Sequence, residues 1–245
     1  MKILVCVSVV PDTKTKITFT DNNTKFNTSG VQFIINPYDE LALTKALELT
    51  EAQGGTVEII HVGPAESEAS IRKALAIGAE SATRIDAVAQ DAQFVAEQIF
   101  QVAKQNNYDL IFTGRESIDY NGGQVCGLLG ELLGIASVNV INKIEVAGNV
   151  ATIERDIDGG RETVSVALPA VVSAQKDLCE PRIPNMRGIM AARTKPLNVV
   201  AAVQTASASQ YQSYEQPAAK QGVKMIGIDQ IEELIKTLRN ESKVI

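Results

Sequence analysis

The sequence predicts an α/β fold in which a doubly wound, mostly parallel sheet carries helices on both faces. Short apolar runs rich in β-branched residues alternate with longer segments of helical periodicity, which is the pattern of parallel strands joined by crossover helices. The runs are apolar throughout, as expected of strands that are covered on both faces. Hydrophobic residues make up 45% of the chain and charged residues 21%, which is typical of a globular protein.

Strands and helices alternate through the first half of the chain. Asn36-Pro37 opens the first helix and Gly54-Gly55 ends it, because proline fits a first helical turn and glycine fits a helix end. Residues 16–20 and 33–35 are predicted to form a small hairpin around Asp21-Asn22-Asn23. The other strands are predicted over 2–10, 56–62, 82–86 and 110–113, and the helices over 38–53, 66–77, 92–106 and 122–134.

Beyond about residue 137 the pattern changes from helices to strands. An extended hairpin is predicted over 152–157 and 162–168, because Asp158-Gly159-Gly160 supplies the positive φ angles that a tight turn needs. The short apolar run at 169–172 follows as a buried strand. We therefore expect the hairpin to extend the same sheet.

Residues 179–195 are predicted to form a long basic loop, since Pro181, Pro184 and Pro196 interrupt any helix or ladder there. Long loops in a compact chain are usually functional or disordered. Cationic side chains around exposed methionines suit a surface that docks on several acidic partners. These side chains are Arg182, Met186, Arg187, Met190, Arg193 and Lys195.

The last part of the chain is predicted to be a tether followed by a helix. Residues 204–222 are predicted to form a polar linker. Residues 229–240 have an amphipathic helical pattern, whose apolar stripe consists of Ile231, Leu234, Ile235 and Leu238. The stripe must be buried, either on its own domain or on a partner chain, and the length of the linker favours the partner. The predicted organisation is a nucleotide-binding domain over 1–200 and a linker with its helix over 201–245.

Composition excludes several classes of function. A net charge of −6 and the absence of tryptophan argue against a nucleic-acid-binding surface. No apolar run reaches the roughly 18 residues of a membrane span, so no membrane insertion is expected. The three cysteines lack metal-ligand spacing, and His61 is the only histidine, so neither a metal site nor a histidine-based triad is expected. No signal peptide is recognisable, and a bacterial cytoplasmic location is expected.

The predicted ligand site lies where the strands end. In doubly wound sheets, ligands bind beyond the carboxyl ends of the strands at the point where the strand order reverses. Segments 7–12, 62–64 and 113–124 converge there. Gly122 and Gly123 allow the backbone to approach a phosphate, and the helix that follows adds partial positive charge. The loop is neither a dinucleotide fingerprint nor a Walker A loop.

Several motifs in order resemble a known family over roughly residues 1–200. The resemblance is to the electron-transfer flavoprotein β subunit, whose fold is of the adenine-nucleotide α-hydrolase-like or flavodoxin-like type. Its motifs here are Asn36-Pro37-Tyr38-Asp39-Glu40, Gly63-Pro64, Ala74-Leu75-Ala76-Ile77-Gly78-Ala79, Gly114-x-x-x-Ile118-Asp119, Arg155-x-x-x-Gly159-Gly160, Pro169-Ala170-Val171, Glu180-Pro181-Arg182 and Met190-Ala191-Ala192-Arg193.

The resemblance implies two cofactors. One is AMP, held in the cleft and not turned over; the other is a redox FAD, held mainly by an α subunit and covered in part by Tyr38. Gln124-Val125 is also similar to electron-bifurcating relatives, which bind a second FAD in place of AMP, so this alternative stays open. The implied cofactor-binding residues are Cys6, Asn36, Pro37, Tyr38, Asp39, Val62, Asp119, Gly122, Gly123, Gln124 and Val125.

The resemblance also implies partners. The α subunit would pair with this chain, and Asp156 matches an acidic residue that tethers its flavin domain. Segment 179–195 is similar to a recognition loop that docks on acyl-CoA or other dehydrogenases, through Arg182, Met186, Arg187, Met190 and Arg193. Electrons would pass on to a quinone reductase, and no autonomous catalysis is expected of this chain. The alternative is a stand-alone adenine-nucleotide-binding protein of the universal-stress type, which needs neither the basic loop nor the tethered helix.

Overall fold

A mostly parallel sheet runs through the computed structural model, which describes residues 1–219 and 222–245. The strands are β1 Lys2–Cys6, β2 Val9–Pro11, β3 Phe19–Thr20, β4 Lys25–Phe26, β5 Phe33–Ile35, β6 Thr56–Val62, β7 Ser81–Asp86, β8 Leu110–Gly114, β9 Ala136–Ala147, β10 Val150–Ile157, β11 Gly160–Ala167, β12 Ala170–Ala174 and β13 Leu197–Ala201. The helices are α1 Pro37–Gln53, α2 Glu68–Ile77, α3 Ala92–Ala103, α4 Val125–Leu133, α5 Met186–Ala192 and α6 Ile231–Lys236.

The main sheet has nine strands within the described ranges, in the order β11-β10-β9-β12-β8-β1-β6-β7-β13. All neighbouring strands are parallel except β9–β10 and β10–β11, which are antiparallel. From β1 the chain steps to β6 and β7 on one side and then returns to β8 on the other side. The strand order therefore reverses between β1 and β8. The predicted fold class, including its hairpin extension, is confirmed.

Helices cover the sheet on both faces and divide the core into two layers. Alternate residues of β1 point to opposite layers, so that Ile3 and Val5 pack in one cluster and Leu4 and Cys6 in the other. Side chains of α1 and α2 fill the first cluster, and side chains of α3 and α4 fill the second. Burial on both faces explains why the strands of this sheet are apolar throughout.

The predicted hairpin between 16–20 and 33–35 is wrong. Asp21, Asn22 and Asn23 all have positive φ, and this tight turn pairs β3 with its immediate neighbour β4. Strand β5 instead pairs antiparallel with β2. The strand predicted over 2–10 is accordingly broken, because the chain leaves the sheet after β1 and the amide of Ser8 donates to the Asp39 carboxylate at 2.6 Å.

Segment 179–195 is not a continuous loop, because it contains the two-turn helix α5. Pro184 and Pro196 lie outside α5 and bound it, and the intervening residues contain no proline. The Asn185 side chain caps the helix by accepting from the Gly188 amide at 2.8 Å. Strand β13, which no sequence pattern predicted, follows and pairs parallel with β7 at the edge of the sheet. Helix α4 also begins later than predicted, so Gly122 and Gly123 lie in the preceding loop.

The tail beyond β13 leaves the sheet. The Gln98 side chain is buried and bonds both backbone groups of Val203, and Asp91 accepts from the amides of Ala208 and Ser209. Helix α6 lies within the range predicted for the amphipathic helix, and none of residues 231–236 is buried. No helix in the described part of the chain has both the length and the apolar character needed to cross a bilayer.

Candidate functional site

A cleft opens at the point where the strand order reverses. It encloses about 120 Å³ and is lined by the chain that follows β1, by the end of β6 and by the loop that follows β8. Val95 and Ile99 of α3 close one wall. The cleft therefore lies at the place where doubly wound sheets bind their ligands.

Asp39 joins the two strands that flank this point. Its side chain is buried in the first turn of α1 and accepts from the Ser8 amide at 2.6 Å, just beyond β1. On the other side it lies against Gly114 at the end of β8, where a Cβ atom would fall 2.2 Å from its Oδ1. Burial raises the pKa of Asp39 to about 7, although hydrogen bonds from Ser8, Asn36 and Gly114 offset part of this effect.

Asn36 holds the loop that follows β8. Its Nδ2 donates to the carbonyl of Glu116 at 2.8 Å, and its Oδ1 lies 3.4 Å from the amide of Ile118. Asn36 is fully buried, so both bonds are formed away from water. This side chain therefore shapes the cleft from behind rather than lining it.

The same loop provides a glycine-rich approach to the N-terminus of α4. The amide of Ser117 donates to the carbonyl of Gly122 at 3.1 Å, which closes the loop. A Cβ atom at Gly122 would lie 1.8 Å from the ring of Tyr120, and one at Gly123 would lie 3.0 Å from the carbonyl oxygen of Arg115. The first N–H groups of a helix have no partner within it, so this end of α4 favours an anion.

His61 presents an unpartnered nitrogen in the wall of the cleft. Its Nδ1 donates to the carbonyl of Val7 at 2.7 Å, which leaves Nε2 as an acceptor with no partner among residues 1–219 and 222–245. Burial lowers the pKa of His61, so the ring is neutral at pH 7. Burial likewise raises the pKa of the Cys6 thiol, which makes it a poor nucleophile. Both groups are therefore uncharged at neutral pH.

The structure brings together most of the residues predicted to bind a cofactor, and it places four of them elsewhere. Those that line the cleft are Cys6, Asp39, Val62, Asp119, Gly122, Gly123 and Val125. Asn36 lies behind the loop, Pro37 begins α1, Tyr38 packs on the core, and Gln124 is exposed before α4. Sequence reasoning missed His61, Val95 and Ile99 as lining residues. The signal for His61 was its place at the carboxyl end of a strand.

The predicted partner-binding residues of segment 179–195 are of two kinds: one is paired within the chain, and the others are exposed to solvent. Arg182 forms a two-pronged pair with Glu51, at 2.6 and 3.0 Å. Met186 and Met190 have 74% and 67% of their surface exposed, and Arg187 and Arg193 are also exposed.

Asp156 lies on the hairpin strand β10. Its Oδ1 accepts from Asn142 Nδ2 at 2.7 Å and from Arg161 Nε at 3.2 Å. Asn142 is turned toward it where the register between β9 and β10 shifts by one residue.

Fold and site together define an α/β protein of the class that holds a ligand at the switch point of a doubly wound sheet. The model of the electron transfer flavoprotein domain family matches residues 23–205. The chain is 35% identical to the electron transfer flavoprotein subunit beta of Bacillus subtilis (strain 168), over the full length of both. It is 38% identical to that of Syntrophomonas wolfei, over 90% of this chain and 87% of the relative. The mitochondrial subunit of Arabidopsis thaliana is 32% identical over the full length of both chains.

The chain therefore belongs to the electron transfer flavoprotein β-subunit family. The predicted resemblance is confirmed, and the family implies a role in electron transfer.

Proposed function

We propose that this chain is the β subunit of a two-subunit electron carrier of the bacterial cytoplasm, which binds AMP in the cleft and shares a redox FAD with an α subunit. The observation that carries the AMP proposal is the cleft itself, in which an apolar wall faces a glycine loop and the start of α4. Family membership supports the pairing with an α subunit and the shared flavin.

The residues of the cleft fit an adenylate. Cys6, Val62 and Val125 offer apolar surface to a base, and the Nε2 atom of His61 is a buried acceptor without a partner in the described chain. Gly122 and Gly123 keep side chains away from the approach to α4, where a phosphate is favoured. In this proposal, these residues hold and orient the nucleotide.

FAD, when bound, supplies the redox chemistry, and this chain contributes surface and orientation. Tyr38 is partly buried against the core at the start of α1, which fixes one face of the proposed flavin contact. The Oδ1 atom of Asp156 accepts from Asn142 and Arg161, which holds the carboxylate in place. A cation of the α subunit would pair with its Oδ2 atom. Such a bridge contributes about 0–1 kcal/mol at a surface, which suits a domain that must move.

The exposed side chains of segment 179–195 support docking on electron donors. Met186, Arg187, Met190 and Arg193 face solvent and would contact acyl-CoA or other dehydrogenases. A quinone reductase would then accept the electrons. The exposed stripe of α6 would supply a surface for the α subunit. In this proposal, residues 1–200 are the nucleotide-binding domain, and 201–245 are the linker and helix that pair with the α subunit.

The nucleotide content of the purified two-subunit complex tests this proposal. After denaturation, mass spectrometry should find one FAD and one AMP per pair. Two FAD and no AMP would contradict the AMP site and support the bifurcating alternative. A colourless chain that hydrolyses ATP alone would instead indicate a stand-alone protein of the universal-stress type.

Two glycine variants locate the AMP within the complex. Gly123→Val should lower the AMP content at least about tenfold, because its Cβ would crowd the Arg115 carbonyl at the mouth of the cleft. FAD content should be retained. Gly127→Ala is the matched control, since a Cβ at this position in α4 meets nothing within 4 Å.

A further inference from the structure

Helix α5 lies directly on the C-terminal end of α2. A Cβ atom at Gly188 would fall 2.3 Å from the carbonyl oxygen of Ala76, so the two backbones meet without a side chain between them. Helix α5 and the residue before Pro184 expose large apolar side chains. We call this the crest: Ile183, Met186, Ile189 and Met190, with 87%, 74%, 41% and 67% of their surface exposed.

Two cations join the ends of these helices reciprocally. Arg72 of α2 donates through Nη1 to the carbonyls of Ala192 and Lys195, at 2.8 and 2.6 Å, where α5 ends. Lys195 in turn donates through Nζ to the carbonyls of Leu75, Gly78 and Ala79, at 2.9, 3.3 and 2.6 Å, where α2 ends. The last carbonyls of a helix lack partners and carry partial negative charge, so each cation stabilises the end of the other helix.

The beginning of the segment is anchored as well. Arg182 pairs with Glu51, and its backbone amide donates to the Thr44 hydroxyl at 3.0 Å, so this end is tied to α1. Burial lowers the pKa of Lys195, in agreement with an ammonium group withdrawn from solvent onto carbonyls. The basic segment therefore contains two kinds of cation, those engaged within the chain and the exposed pair Arg187 and Arg193.

We propose that Arg72 and Lys195 are positioning residues that hold α5 in place, so that the crest meets an electron-donating dehydrogenase as a preformed surface. This inference rests on the proposed docking function of segment 179–195. A surface that is ordered before association loses less conformational entropy when it binds. Lys195 thus acts through the position of α5, whereas Arg193 acts as an exposed charge that attracts an acidic partner.

Lys195 and Arg193 allow a matched comparison of KM in the two-subunit complex. Lys195→Met should raise the KM of a purified acyl-CoA dehydrogenase for the complex roughly tenfold, with kcat unchanged. The higher KM should persist in 0.5 M salt, because it reflects the loss of a preformed surface and not the loss of an exposed charge. Arg193→Met removes the same charge from the same segment. Its effect on KM should be largest at low salt and disappear at 0.5 M, because exposed charges are screened.

Hydrogen exchange tests, without any partner protein, whether Arg72 and Lys195 hold α5 in place. In Lys195→Met, amides 186–192 should exchange at least about tenfold faster than in the wild type, while exchange in β1 and β6 stays unchanged. Lys195→Arg should restore slow exchange and the wild-type KM, because a guanidinium offers several donors to the same carbonyls. Arg72→Lys, which keeps the charge but places its donors on one nitrogen, serves as a milder variant if Lys195→Met does not fold.

Three outcomes would overturn the inference, and one of them separates it from the proposed function. Unchanged exchange at 186–192 in Lys195→Met would show that Lys195 does not hold α5 in place. Faster exchange with an unchanged KM would show that the position of α5 does not matter for docking, provided that Met186→Ala raises KM. If Met186→Ala also leaves KM unchanged, the crest is not a docking surface, and the proposed function of the segment fails with the inference.

Discussion

Asp39 is the residue on which the geometry of the cleft depends most directly. Its carboxylate connects the chain beyond β1 with the end of β8, on either side of the switch point. Burial makes its ionised form costly, and this raises its pKa to about 7 from the ordinary value of 3.8. The position therefore combines a structural bond with a group that titrates near neutral pH.

The stability of the protein should depend on pH through Asp39. The pKa of Asp39 is higher in the folded than in the unfolded state, so the folded state binds its proton more tightly. The stability that this proton contributes is present in full below about pH 4, and it is lost as pH rises through 7. Between pH 5 and 7 we expect the wild type to lose roughly 2 kcal/mol relative to Asp39→Asn. Urea unfolding of both proteins at each pH measures this difference, and all other groups cancel in the comparison. A difference that does not change with pH would contradict the prediction.

At the scale of elements, α6 is an amphipathic helix in which none of residues 231–236 is buried by the described part of the chain. Ile231, Leu234 and Ile235 have 62%, 43% and 42% of their surface exposed, although their spacing places them on one stripe. A helix of this length is marginal on its own in water. Its stripe therefore needs a partner surface, for which we propose the α subunit.

Leu234→Asp should weaken the affinity for the α subunit by at least about tenfold. Burying a leucine side chain in the interface contributes roughly 1.5–3 kcal/mol, whereas burying a carboxylate there is unfavourable. The unfolding temperature of the isolated chain should not change, since none of residues 231–236 is buried in it. Size-exclusion chromatography of the co-expressed subunits measures the pairing. Glu232→Gln, on the same helix, is the control and should pair normally. Normal pairing of Leu234→Asp would exclude α6 as the main contact.

At the scale of the whole molecule, the cleft joins elements from both halves of the sheet. Its lining comes from the ends of β1 and β6, from the loop after β8 and from α3. A ligand bound there contacts the folded state only, so it stabilises the entire domain by mass action. Its effect is therefore visible as a shift in global unfolding.

Nucleotide-free protein should gain about 2.7 kcal/mol in its free energy of unfolding when AMP is added at a hundred times its Kd. Adenosine at the same concentration should stabilise much less, because it lacks the phosphate that the start of α4 favours. Urea midpoints with each compound provide the measurement, and Gly123→Val is the variant that AMP should stabilise much less than the wild type. Equal shifts with AMP and adenosine would show that the glycine loop does not bind the phosphate.

The elements defined by local periodicity were predictable from the sequence. Strand β6 is a short apolar run, and helix α1 lies between the start signal Asn36-Pro37 and the end signal Gly54-Gly55. The hairpin of β10 and β11 was predicted from its glycine-rich turn. The glycine-rich segment before α4 was recognisable too, but its boundary was not, because the predicted helix began at 122 and α4 begins at Val125. The family resemblance rested on such contiguous motifs and was confirmed.

Only the tertiary structure decided which distant groups meet. It paired β5 with β2, brought His61 and Ile99 into the cleft, and showed that Lys195 is bound to the end of α2, about 120 residues away in sequence. A basic residue has the same sequence signature whether it faces a partner or caps a helix of its own chain. The physical reason is that periodicity records how much of a side chain is buried, whereas pairing depends on long-range packing that no local pattern encodes.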